Sequence, residues 1–234
     1  MTRSLTLGVL GGMGPAATVD FLQKIQAYTP AREDQDHIRV LVDINPKVPD
    51  RNTPGSLAGP VLAEMAGALG GAGAEVLAIA CNTAHAYAGL IQRASGLPLI
   101  DMIETGAQAA ARSGARRAGV LGTRGALKLY REYLAAQAMG LVSLPSESQE
   151  RFMGLVYRIK GGDVGAEVKA GMAALAAELV AGGAEAIIAG CTEVPLVLSQ
   201  GDLKGIEFID PGDLLARRCV AVCLGMEPVP AQPA

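Results

Sequence analysis

The chain has 234 residues, half of them hydrophobic, with a formal net charge of −3, no Trp, five Tyr and three Phe. That length is enough to bury a substantial core, in one large domain or two of ordinary size. The absence of a basic field and the scarcity of rings for base stacking exclude nucleic acid as the expected partner. No apolar run approaches the ~20 residues that span a bilayer.

The opening residues, MTRSLTLGVLGGMGP, hold one early Arg and a short apolar run that Gly and Pro break before a signal-peptide core develops. A cytoplasmic location is expected, with the four cysteines reduced. Cys81 and Cys191 lie far apart, and Cys219 and Cys223 are four apart in an expected helix, where packing is their expected role. That spacing suits neither a metal site nor a disulfide framework.

In chain order, apolar runs of strand length fall at 5–10, 38–44, 75–80, 97–100, 117–121, 139–144, 184–189 and 206–209, separated by longer Ala-rich stretches of helical character. Continuous rather than alternating hydrophobicity predicts parallel strands buried on both faces, with helices as crossovers. The pattern occurs twice: GVLGGMGPAAT from Gly8 returns as GVLGTRGALKL from Gly119, GAEVLAIACNTA from Gly73 as GAEAIIAGCTEV from Gly183, and GLPLID from Gly96 as GIEFID from Gly205. The separations are 111, 110 and 109 residues. The expected fold class is therefore α/β, two similar Rossmann-like parallel-sheet lobes related by an internal repeat, with the active site in the cleft between them. The first lobe is expected to span 1–102 and to regain the helix at 210–225, the second to span 103–209, and residues 226–234 to form a flexible tail.

Within the first half, 11-GGMGPAA-17 follows a strand, and Gly12, Gly14 and Ala17 satisfy a dinucleotide-binding spacing, with Asp43 ending the next strand. The loop GTRGAL of the second half lacks that pattern, so Gly12, Met13 and Gly14 are read instead as backbone lining a substrate cleft. The polar, proline-rich loop 45-NPKVPDRNTP-54 brings Arg51, and Lys160 stands 109 residues later. The two form a repeat-related pair of cations for a substrate carboxylate, the Arg by two parallel hydrogen bonds and the Lys as a point charge. The strand at 75–80 then delivers Cys81, Asn82, Thr83 and His85.

The repeat carries Cys81 onto Cys191, 110 residues on, and both are expected where a strand ends and a helix begins. A thiol on each face of a bound carbon suits inversion there: one thiolate removes a proton and the opposite thiol returns one. A helix N-terminus is expected to favour the thiolate, and its free N–H groups to hold a substrate carboxylate. Asn82, Thr83 and Thr192 would add side-chain hydrogen bonds, or Asn82 and Thr83 cap the helix. His85 is read either as tuning Cys81 or as a structural histidine, Glu193 as orienting groups around Cys191 or complementing a helix terminus, and His37 as structural or interfacial.

The segments GGMGPAAT, DQDH, NPKVPDR, CNTAH and GCTEVPL resemble the aspartate/glutamate racemase family over nearly the whole chain, and its aspartate racemase branch most. The resemblance implies a cofactor-independent two-base racemase of two α/β domains, usually dimeric, with Cys81 and Cys191 as the catalytic thiols. It also assigns the cations at Arg51 and Lys160 to recognition of the substrate side chain. Related glutamate racemases carry His after the second Cys-Thr; Glu193 stands here, which favours aspartate. Ala126 replaces a Thr common in the family, leaving Thr123 as the hydroxyl of that loop. Competing readings are another cysteine-dependent isomerase, such as one acting on maleate, an amino-acid-binding protein without turnover, and a dinucleotide-dependent oxidoreductase.

Overall fold

A computed structural model describes residues 4–53 and 55–231. The apolar runs become eight strands: β1 (Leu7–Gly11), β2 (Val40–Ile44), β3 (Val76–Ile79), β4 (Leu99–Ile100), β5 (Arg117–Val120), β6 (Gly140–Val142), β7 (Ala186–Ile188) and β8 (Glu207–Ile209). They form two four-stranded sheets of the same order, β2-β1-β3-β4 and β6-β5-β7-β8, and every pairing is parallel. Helices α1 (Pro15–Tyr28), α2 (Ala58–Gly71), α3 (Ala88–Ser95) and α4 (Met102–Arg112) alternate with the first four strands. Helices α5 (Arg124–Ala136), α6 (Ser146–Lys160), α7 (Ala166–Ala181) and α8 (Pro211–Cys223) follow. By compactness, one unit contains Met1–Met102 with Gly212–Ala234, and the other Ile103–Pro211.

Strand alternation builds two cores in the first unit, one on each face of its sheet. Leu7, Val9, Val76 and Ala78 pack with Phe21 and Ile25 of α1 and with Leu215, Cys219 and Val220 of α8. Leu10, Leu77 and Ile79 pack with Leu62, Met65 and Leu69 of α2 and Ile91 of α3. Cys219 and Cys223 are both buried packing residues; burial holds the Cys219 thiol well above its ordinary pKa and pushes that of Cys223 up to about 12. In the second unit, Phe152, Val156 and Ile159 of α6 and Met172, Leu175 and Leu179 of α7 cover Ile187 and Val142.

The repeat extends to contacts. A Cβ on Gly8 would lie 2.7 Å from Leu77 and 2.9 Å from Ala74; on Gly119 it would lie 2.8 Å from Ile187 and 2.9 Å from Ala184. Both glycines let the turn entering the next strand lie directly on the sheet.

The halves differ where the repeat had suggested likeness. Eleven residues, 29–39, link α1 to β2, whereas α5 and β6 are separated by 137–139 alone. Conversely, a loop joins β2 to α2, whereas the fifteen-residue α6 lies between β6 and α7. The two length differences nearly cancel, which keeps the separation near 110 elsewhere. Arg51 and Lys160 therefore stand on unlike supports, a loop turn and a helix C-terminus.

Of residues 226–234, expected as a flexible tail, 232–234 lie outside the described residues, while Met226 N–H donates to the Ala221 carbonyl at 2.8 Å and Glu227 pairs with Arg218 at 3.7 Å. Residues 1–3 and Pro54 also lie outside them. Among the described residues, no helix is long and apolar enough to cross a membrane. His37 is exposed and borders an apolar groove of about 270 Å³ with Leu22, Ile25 and Val42, none of them a candidate site residue.

Candidate active site

In the first unit, the loop after β1 and the loop after β2 fold onto each other. Gly12 has φ +90°, and a Cβ there would lie 2.5 Å from the Asn45 backbone, so only glycine fits. Its N–H donates to Thr18 Oγ1 at 2.9 Å, and that hydroxyl donates to the Gly14 carbonyl at 3.0 Å. The Gly12 amide is therefore spent inside the loop rather than offered to a phosphate. Met13 is buried at 2% exposure, and Pro15 opens α1 with Gly14 as its N-cap. Val48, also buried, pins the second loop into the core beside α2.

That anchoring directs Arg51 inward. Its guanidinium donates to the carbonyls of Pro49 at 3.2 Å and Met13 at 3.1 Å, and Nη2 lies 4.0 Å from Cys81 Sγ. The buried Nε has no hydrogen-bond partner among the described residues. Cys81 itself lies just past β3, at 4% exposure. It leads into a 3₁₀ turn, Thr83–Tyr87, that continues as α3. Asn82 and Thr83 are buried at its start, and Asn82 makes no side-chain capping hydrogen bond. His85, one turn on, reaches back: Nδ1 lies 2.9 Å from the Cys81 carbonyl, and Nε2 accepts from Met102 N–H at 3.1 Å. With Nε2 accepting, the Nδ1–H is the donor to the Cys81 carbonyl. His85 thus ties the cysteine's backbone to the start of α4.

In the second unit, Cys191 lies at the corresponding place past β7, at 7% exposure. No long helix follows it, contrary to expectation. Two short 3₁₀ turns form instead, Val194–Leu196 with Pro195 in it, and Gln200–Asp202. β-branched Val197 leaves helical geometry at φ −133°, and Ser199 and Asp202 close their own capping box. The tight turn brings the Glu193 carboxylate back onto the sulfur. Cys191 Sγ donates to Glu193 Oε2 at 2.9 Å, Thr192 Oγ1 lies 3.4 Å from the same oxygen, and Lys160 Nζ lies 3.1 Å from Oε1. Burial first, then the Glu193 charge and its hydrogen bond, hold the Cys191 thiol well above its ordinary pKa, while Lys160 pulls it down. This reverses the expectation that a helix terminus would favour the thiolate here.

Thr123 caps α5 by accepting from Ala126 N–H at 3.2 Å, and Ala126 is fully buried beneath it. Gln149, on α6, is a site neighbour that the sequence reading missed. Its Nε2 donates to the Gly122 carbonyl at 3.0 Å, bracing the loop that carries Thr123, and its Oε1 is buried without a hydrogen-bond partner among the described residues. The repeat offered no signal for it, because the first half has no helix at the place of α6.

Two half-sites of the same topology thus present a thiol at the carboxyl end of the third strand of each sheet. The pattern shared by Asp/Glu/Hydantoin racemases matches residues 10–219. The chain belongs to the Asp/Glu/Hydantoin racemase family. It is 36% identical over 152 residues to a glutamate racemase of Pseudomonas paraeruginosa, covering 62% of this chain and 57% of that protein, so the match spans little more than half the length of that relative. It is 27% identical over 229 residues to the broad specificity amino-acid racemase RacX of Bacillus subtilis, covering 94% of this chain and 99% of RacX. Among solved structures, aspartate racemase of Picrophilus torridus superposes with a TM-score of 0.75 at 25% identity, covering 94% of each chain. The two parallel sheets are thus those of the racemase fold.

Proposed function

We propose that this protein is a cofactor-independent racemase of an acidic amino acid, aspartate in preference to glutamate, in which Cys81 and Cys191 act on opposite faces of the α-carbon. One thiolate removes the α-proton and the other thiol returns a proton to the far face; the roles exchange for the other enantiomer. The observation that carries this reading is the placement of two thiols at equivalent points of two identically ordered sheets, each with a cation close by: Arg51 at the sulfur of Cys81, Lys160 at the carboxylate that holds Cys191. A guanidinium beside Cys81 complements negative charge on its sulfur.

Arg51 and Lys160 are also the proposed partners of a substrate side-chain carboxylate. Glu193 already pairs with Lys160, so a substrate carboxylate would have to compete with Glu193 for this cation. The same pair favours a second reading, a broader amino-acid range like that named for RacX, because a Lys held by Glu193 leaves Arg51 as the stronger determinant of side-chain charge. Gly12, Met13, Gly14, Asn82, Thr83, Thr123 and Thr192 complete the proposed substrate surroundings, with His85 setting the Cys81 backbone. A cytoplasmic homodimer is part of the same proposal.

The test is a racemisation assay on single enantiomers of aspartate, glutamate and neutral amino acids, after exhaustive dialysis and without additives. The expected result is interconversion of D- and L-aspartate, fastest in the panel. Turnover that appears only with added pyridoxal phosphate or a nicotinamide, or no turnover of any amino acid, would overturn the proposal.

A further inference from the structure

Resting on the two-thiol reading, we infer that Glu193 is a positioning residue that holds the proton on Cys191, so that Cys191 meets the first substrate as the acid and Cys81 as the base. The geometry carries the inference. Glu193 is only 2% exposed, so its carboxylate must be satisfied from within the protein. Lys160 Nζ forms an ion pair with Oε1 at 3.1 Å, and a carboxylate in an ion pair only accepts hydrogen bonds. At 2.9 Å from Oε2, the Cys191 sulfur must then be the donor, with its proton in place. Among the described residues, the charged groups that act on this thiol are Glu193, on its own turn, and Lys160, from α6, with the Thr192 hydroxyl beside the same carboxylate; Cys191 belongs to the apolar core cluster that also holds Leu121, Ala189 and Val194. The raised pKa of Cys191 agrees in sign, since a carboxylate acceptor favours the thiol.

The consequence is an order of binding. The resting protein takes the enantiomer whose α-hydrogen faces Cys81. The Cα–H bond breaks onto the Cys81 sulfur, the Cys191 S–H bond breaks, and its proton forms the new Cα–H bond on the opposite face. Cys191 is left as a thiolate beside Glu193, with Lys160 offsetting the charge, until a proton travels through solvent from Cys81 back to Cys191. Because the two enantiomers have equal free energy, kcat/KM is the same in both directions. The asymmetry therefore appears in kcat and KM separately.

The test is the pH profile of alkylation at Cys191 by iodoacetamide, read site by site by peptide mass spectrometry. Glu193→Gln keeps the shape and an acceptor but removes the charge, and should lower the Cys191 midpoint by about one pH unit or more. Lys160→Met, at a partly exposed residue, should raise it, and keeps the test open should the buried Gln variant fold poorly. The Cys81 profile in the same samples is the internal control. In racemisation, Glu193→Gln should also narrow the difference between the two KM values. An unmoved Cys191 midpoint in Glu193→Gln, or a downward shift in Lys160→Met, would overturn the inference. Alkylation needs no turnover, so a shifted profile in a protein that racemises nothing would uphold the proton-holding role and remove the racemase reading instead.

Discussion

Cys81 and Cys191 occupy the same point of the same topology, yet one has a guanidinium 4.0 Å from its sulfur and the other a carboxylate at 2.9 Å. The duplicated sheet fixes where each thiol stands, because strand order and register follow from which residues are buried on both faces. It does not fix what charge meets the thiol, because that is set by connections free to change length. A pinned loop delivers Arg51 in the first unit, and a helix delivers Lys160 in the second. The proposed two-base site would gain from this inequality, since it needs one acid and one base at the moment substrate arrives.

The comparison can be broken most forcefully at Phe152, fully buried on the helix that the first unit lacks. Phe152→Ala should destabilise the protein by about 3–5 kcal/mol in urea unfolding; a cost below about 1 kcal/mol would mean that α6 is an appendage rather than part of the second core. Next is His85, whose ring joins the Cys81 carbonyl to Met102 N–H. His85→Ala should cost about 2–4 kcal/mol, for two buried backbone groups left unsatisfied. An unchanged unfolding midpoint with lost activity would return His85 to a direct chemical role.

The paired cations sharpen the contrast in the functional direction. Arg51→Ala and Lys160→Ala should each lower kcat/KM for aspartate by roughly 10- to 100-fold, the range of a charge-assisted hydrogen bond, while a neutral amino acid is affected less. Arg51→Ala should be the more damaging, because Arg51 also touches the thiol. Equal kinetics before and after both changes would remove them from the site. The smallest effect tests likeness rather than difference: Gly8→Ala and Gly119→Ala meet the same clash and should each cost about 1–3 kcal/mol. A large gap between the two would show that the repeat does not extend to how the helices approach the sheet.

The strands were legible because their apolar runs form the parallel sheets, although edge strand β2 is only partly buried; seven of the eight expected segments contain a strand whole, and β1 runs one residue past its segment, to Gly11. The cysteine pair was legible for the same reason, since each follows such a run by one or two residues. The turn after Cys191 was not. Reading a helix there overlooked Pro195, Val197 and the Ser199 capping box, and with them the geometry that folds Glu193 onto the sulfur. Likewise, the constant separation of the repeats hid two opposite length changes, so α6 and Gln149 had no counterpart to announce them. His85 was legible only as an alternative. Four residues is the reach of a ring back to a carbonyl, but the second partner, Met102 N–H, comes from a distant part of the sequence.

The central claim is that the two thiols serve opposite faces of one carbon, and solvent deuterium tests it most directly. Cys81→Ala and Cys191→Ala lose only a small side chain and should both abolish racemisation while keeping the unfolding transition cooperative. Incubated in deuterium oxide with each enantiomer of aspartate separately, each variant should exchange the α-hydrogen only of the enantiomer that faces its surviving thiol, without inversion; the two variants should prefer opposite enantiomers, and Cys81→Ala, whose remaining thiol is held protonated by Glu193, should exchange more slowly. Near-normal racemisation by either variant, or the same enantiomer preferred by both, would contradict the account.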